Sequence, residues 1–126
     1  MPPVGAAVGG EAGAKDVANY VRSLSGLSHD AAAAVRGKEK FAVCAACHGP
    51  DAKGNPAIGS PNLTDKVWLY GSSEATIVEG IMKGRANHMP AHREFLGEQR
   101  AHILAAYVYG LSEAAKPLIV PVKSAR

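Results

Sequence analysis

The run Cys44-Ala45-Ala46-Cys47-His48 constrains this chain more than any other feature. On one helical turn, positions i and i+3 face the same way. Two thiols so placed can each add across one vinyl group on neighbouring pyrroles of a haem, and His48 then lies under the iron with an imidazole nitrogen to offer. Three other uses of the pattern are weaker. A redox C-x-x-C site belongs after a strand in a βαβ setting, and no strand pattern precedes this one. A disulfide between helical i and i+3 cysteines is strained. A zinc site could recruit His88 and His92, spaced H-x3-H, but forty residues separate Cys47 from His88, against roughly 12–15 in that motif.

One covalently bound haem c is therefore the expected cofactor, and composition agrees with it. The 126 residues are 47% hydrophobic but only 6% aromatic, with one Trp and two Phe. So thin a core needs a staple, and a large apolar cofactor can serve as one. Net charge is +3, and residues 36 to 112 carry nine Lys or Arg against seven Asp or Glu. That balance argues against a nucleic-acid groove, which clusters basic residues on one face. No run approaches the ~20 apolar residues of a membrane span. Met1 to Gly10 has neither the positive start nor the apolar stretch of a secretory signal.

The rest of the chain reads as all-α. Met1 to Gly13 is rich in Gly, Ala and Pro and predicts a loop. Ala14 to Leu24 carries Val17, Val21 and Leu24 on one face, with Tyr20 beside them, and Gly26 stops the helix. A second helix starts at the cap residue Asp30 and runs to Cys47. Gly49 to Pro61, rich in Gly and Pro, predicts a long surface loop. Thr64 or Asp65 caps a short helix ending at Tyr70, and Ser72 or Ser73 caps another that ends before Gly84. Arg85 to Phe95 reads as loop. A last helix, about Gly97 to Tyr109, turns Ile103, Leu104, Tyr107, Val108 and Leu111 toward a core, and Ala114 to Arg126 predicts an extended tail.

A truncated repeat lies within these pieces. Met1-Pro2-Pro3, followed nineteen residues on by Tyr20-Val21-Arg22-Ser23-Leu24-Ser25, mirrors Met89-Pro90-Ala91, followed eighteen residues on by Tyr107-Val108-Tyr109-Gly110-Leu111-Ser112. The chain thus reads as the end of one module followed by a complete second one.

A sixth iron ligand belongs on the face opposite His48, from a loop far along the chain. Met89 fits, stiffened by Pro90 and set between a helix end and the last helix. Met82 is the competing thioether, although its helical position suits core packing. His88 and His92 could make a bis-His iron of lower potential. A ligating imidazole donates its other N–H to an acceptor, and Gly59-Ser60-Pro61-Asn62-Leu63 is placed to turn a carbonyl toward His48.

Together C-A-A-C-H-G, G-S-P-N-L-T-D, W-L-Y-G and the late M-P-A resemble class I cytochrome c. More narrowly, Arg36 to Ser112 resembles the second haem domain of the dihaem cytochrome c subunit (subunit III) of cbb3-type cytochrome c oxidase. Met1 to Gly26 resembles the end of that subunit's first haem domain. The resemblance implies a class I cytochrome c fold, several short helices wrapped around one covalent haem. Residues 1–30 would be the remnant of a preceding domain plus linker, 31–112 the cytochrome c domain, and 113–126 an extended tail. Cys44 and Cys47 would hold the haem and His48 and Met89 ligate iron. The Pro61 carbonyl would accept from His48, and Trp68 and Tyr70 would pack near the haem or its propionates. Gly37 and Phe41 would mark the crossing of the first helix with the last, against Tyr107.

The function so implied is electron transfer. The domain is a carrier, and the parent complex is a cytochrome c oxidase. Its partners would be a donor cytochrome or sister haem domain on one side and the oxidase catalytic subunit on the other, at the periplasmic face of the inner membrane. Membrane attachment would come only through an N-terminal anchor that this stretch lacks, so the chain reads as a piece of a longer protein. Two other readings are a free-standing monohaem cytochrome c and a haem sensor or enzyme with an open sixth position. The half-repeat counts against the first and Met89 against the second.

Overall fold

A computed structural model describes residues 1–113, so the predicted tail from Ala114 onward lies outside the described residues. Among these are six helices: α1 (Gly10–Leu24), α2 (Ala31–Lys40), α3 (Ala42–His48), α4 (Glu74–Lys83), α5 (Arg93–Leu96) and α6 (Glu98–Glu113). The only β feature among the described residues is an isolated antiparallel bridge between Asn55 and Ser60. This is the expected all-α arrangement of short helices. The chain forms two compact units, Met1–Asn87 and the residues from His88 onward.

Helix boundaries follow their caps. The Asp30 side chain accepts from the Ala33 N–H at 2.8 Å and starts α2. Ser73 Oγ accepts from the Thr76 N–H at 3.1 Å and starts α4. Each replaces a backbone acceptor that a helix N-terminus lacks. The predicted helix from Asp30 to Cys47 divides at Phe41, whose N–H is shared between the Gly37 and Lys38 carbonyls. The predicted helix from Thr64 to Tyr70 does not form. Asn62 Oδ1 accepts from the Thr64 N–H and Asp65 Oδ1 from the Val67 N–H, both at 2.9 Å. These side-chain turns outcompete the helical ladder. Within the stretch read as loop, Arg93–Leu96 makes one extra helical turn.

The core of the first unit is built of small side chains. Val8, Ala14, Val17, Val21, Phe41, Ala52 and Ile81 are buried, with Tyr20, Leu24, Cys44, Leu63, Trp68 and Ile77 among those packed around them. α1 supplies three of the buried seven. Its polar residues tie it to its neighbours. Asn19 Oδ1 accepts from the Asp30 N–H at 2.9 Å, and Asn19 Nδ2 donates to Glu74 Oε2 at 2.9 Å. One amide thus links α1 to the starts of α2 and α4. Asp16, 7% exposed, accepts from Arg36 at 2.8 and 3.0 Å and from Lys40. These bonds, that of Arg36 foremost, hold its carboxyl below the usual carboxylate range. The stability that this tie contributes is therefore fully present above the usual range and is lost as pH falls through the lowered value.

Within the first unit, Gly37 is a point of close approach between α2 and α1. A Cβ on Gly37 would lie 2.0 Å from the Asp16 carbonyl oxygen and 2.9 Å from Tyr20 Cβ. Tyr20 meets Phe41 edge-on, with ring centroids 5.2 Å apart. Tyr107, expected at this crossing, belongs to the second unit and is 63% exposed. The apolar face of α1 packs on α2 and α4 of its own chain. Gly37→Leu is expected to destabilise the protein by ~1–3 kcal/mol or more, the cost of overpacking a close contact. The gain from replacing a helical glycine is smaller, ~1 kcal/mol. Urea unfolding measures the balance, and a raised midpoint would place the close approach elsewhere.

In the second unit, the α6 residues expected to face a core are open. Ile103, Leu104, Tyr107, Val108 and Leu111 are between 46% and 69% exposed.

Candidate haem-attachment site

α3 presents the C-x-x-C-H turn, its helical path set by the Cys44 and Ala45 N–H groups donating to the Phe41 carbonyl at 2.8 and 2.9 Å. Both cysteines are free thiols, Cys44 partly buried and Cys47 exposed. Burial, and secondarily the neighbouring Cys47, raises the Cys44 thiol above its ordinary value.

His48 is 8% exposed, and its Nδ1 lies 2.9 Å from the Pro61 carbonyl oxygen. A carbonyl only accepts, so Nδ1 carries the proton and donates. The tautomer follows: Nε2 keeps its lone pair, the state in which an imidazole binds a metal.

The loop from Gly49 to Leu63 holds this carbonyl in place. The Gly54 N–H donates to the His48 carbonyl at 2.8 Å, and the Leu63 N–H donates to the Ala52 carbonyl at 2.8 Å. Ser60 Oγ donates to the Cys47 carbonyl at 2.6 Å. Gly54 is at φ +84°, and a Cβ there would lie 2.4 Å from the Ser60 oxygen and 2.7 Å from the Pro61 carbonyl carbon. Gly54 and Ser60 are positioning residues that sequence reasoning missed. The only signal was their place in a Gly- and Pro-rich loop.

Gly54→Ala is expected to push the Pro61 peptide off His48 and to destabilise the protein by ~2 kcal/mol or more, through left-handed strain and overpacking. A less basic imidazole holds the oxidised iron less well, so the midpoint potential of the haem-loaded protein should rise. An unchanged potential would show that Gly54 does not hold the carbonyl.

Trp68 Nε1 is buried without a hydrogen-bond partner among the described residues. Leaving such a donor unpaired costs ~1–3 kcal/mol, and a haem propionate, an acceptor-only group, is suited to satisfy it. Tyr70 is 46% exposed and lies under the Arg85 guanidinium, 4.4 Å from ring centroid to Cζ. The residues present fit a haem: two thiols on one turn, a correctly protonated histidine and an orphan indole donor.

Of the sulfur candidates, Met82 at the end of α4 is 37% exposed, with its sulfur close to Gly5. A Cβ on Gly5 would lie 2.5 Å from its Sδ. Met89 belongs to the second unit, between α4 and α5, and is 90% exposed. His92 donates from Nδ1 to the Pro90 carbonyl at 2.7 Å, within the same short loop. Among the described residues no group of three or more His, Cys, Asp or Glu is placed to hold a metal ion.

Residues 32–108 match the family described as "Cytochrome C oxidase, cbb3-type, subunit III". The chain is 52% identical over 115 residues to the cbb3-type cytochrome c oxidase subunit CcoP of Rubrivivax gelatinosus, covering 91% of this chain and 38% of that protein. It is 56% identical over 100 residues to the subunit FixP of Bradyrhizobium sp. (strain ORS 278), covering 75% of this chain and 33% of that protein. Against CcoP of Cereibacter sphaeroides the identity is 45% over 96 residues, again 75% of this chain and 33% of the relative. The chain spans about a third of the length of these relatives.

Proposed function

Because the chain belongs to the family of cbb3-type cytochrome c oxidase subunit III, we propose that it is the electron-relaying second haem domain of such a subunit. The observation that carries this reading is the buried His48, held by the Pro61 carbonyl in the ligand tautomer within a C-x-x-C-H turn. When bound, the haem supplies a one-electron iron couple. Cys44 and Cys47 would hold it by thioethers, and His48 would offer Nε2 to the iron. Met89 would supply a sulfur ligand, with Pro90 limiting the conformations of its loop. Trp68 would donate to a propionate, and Tyr70 with Arg85 would pack nearby.

Residues 31–112 form the cytochrome c domain in this reading, and residues 1–30 descend from the end of a preceding haem domain. Electrons arrive from a donor cytochrome or that sister domain and leave for the oxidase catalytic subunit, at the periplasmic face of the inner membrane. No helix among the described residues is long and apolar enough to cross a membrane, so attachment would come from elsewhere in the longer subunit.

Maturation in a host competent for c-type haem tests the reading. The haem should remain on the polypeptide in a denaturing gel, and a potentiometric titration should follow a single one-electron curve. Haem released by denaturation, or a spectrum of open five-coordinate iron, would refute it, the latter in favour of a sensor or enzyme.

A further inference from the structure

Residues 1–4 lie against the end of α4, and every backbone donor they own is used there. Pro2 and Pro3 have no N–H to satisfy, and their fixed φ pre-orders the segment. The Met1 nitrogen donates to the Arg85 carbonyl at 2.8 Å, and the Arg85 N–H donates back to the Met1 carbonyl at 2.8 Å. The Val4 N–H donates to the Ile81 carbonyl at 3.0 Å. Gly84, at φ +74°, permits this approach, because a Cβ there would lie 2.7 Å from the Met1 carbonyl oxygen and 2.8 Å from the Pro3 nitrogen.

The side chain of Arg85 is fixed as closely as its backbone. Its Nη2 donates to the Thr76 carbonyl at 3.0 Å, and the guanidinium lies over the Tyr70 ring, 4.4 Å from Cζ to centroid. Gly80 leaves room for it across α4, where a Cβ would lie 3.2 Å from Nε. None of the ion pairs among the described residues includes Arg85, and Glu79 of α4 pairs with Lys83 instead, at 3.1 Å. A half-buried cation is thus held in one place with no carboxylate bound to it.

We propose that residues 1–4 are a positioning strap for Arg85, and that through this cation they raise the midpoint potential of the haem carried on Cys44, Cys47 and His48. The inference deepens the electron-relay reading above and rests on its placement of Tyr70 and Arg85 near the haem. The physical link is charge. Ferric iron carries one more positive charge than ferrous iron, so a cation fixed nearby favours the reduced state. A guanidinium free to swing into solvent would be screened within a Debye length. The strap keeps it half-buried on Tyr70, where screening is weaker. Residues that read as the end of a preceding module thus act on the redox level of the next.

Potentiometric titration of the haem-loaded full chain tests it. Arg85→Gln should lower the reduced-to-oxidised ratio at a fixed ambient potential by about threefold or more, and Arg85→Lys, which keeps the charge, should restore most of it. Val4→Pro removes the donor to Ile81 and should lower the ratio in the same direction, by less. Deleting residues 1–4 removes the whole strap and should lower it further. In an Arg85→Gln background neither strap change should have any additional effect, a pattern that general loss of stability would not reproduce. An unchanged potential in Arg85→Gln, or in both strap variants, would overturn the inference. So would strap effects of equal size with and without Arg85. Failure of the electron-relay reading would look different, as haem released from the denatured chain rather than as covalent haem with an unmoved potential.

Discussion

Replacing both Cys44 and Cys47 by alanine is expected to yield an expanded, weakly helical chain that melts without a sharp transition. The reason is the size of the core. Among the described residues, the largest fully buried side chain is Val17, and Phe41 is the only buried aromatic. Alanines and valines make up most of the buried set. Such a set falls short of the conformational entropy that an 87-residue unit must overcome. The two thioethers would keep a large apolar group in that core and give Trp68 an acceptor. Far-ultraviolet circular dichroism during heating measures the effect. A cooperative, native-like transition in the double variant would show that the polypeptide alone is sufficient.

Met89→Ala is expected to remove the sulfur-to-iron absorption of the oxidised protein and to lower its midpoint potential. Axial ligands set haem potentials over ~0.8 V, and a thioether opposite histidine lies toward the high end. Loss of that sulfur should therefore make reduction of the haem by a given electron donor less favourable. Met82→Ala serves as the control, because its sulfur is packed against Gly5 and its loss should change stability rather than colour. If Met82→Ala altered the spectrum and Met89→Ala did not, the ligand assignment would be reversed.

The sequence and the structure agree best where chemistry dictates local geometry. Asp30 and Ser73 start helices because a side-chain oxygen meets a free backbone N–H, which a sequence displays directly. The residues alone point to Gly59–Leu63 as the stretch that turns a carbonyl toward His48, and the resemblance narrows it to Pro61. The predicted helix over Thr64 to Tyr70 misread Asn62 and Asp65, whose side chains cap turns as readily as helices. Gly54 was invisible because its role is steric exclusion by a peptide seven residues ahead. The close approach at Gly37 shows a different limit. Periodicity identified α1 as amphipathic, but not that Asp16 on it pairs with Arg36 and Lys40 of α2.

The closed set of hydrogen bonds around the Gly49–Leu63 loop bears on speed as well as on shape. Gly54 holds the His48 carbonyl, Ser60 holds the Cys47 carbonyl, and Pro61 holds the imidazole itself. Dipoles fixed in advance need not turn when a nearby charge changes by one. A redox centre mounted on such a frame would meet little nuclear rearrangement between its two oxidation states. Electron exchange would then be limited by distance and driving force rather than by motion of the protein around the metal.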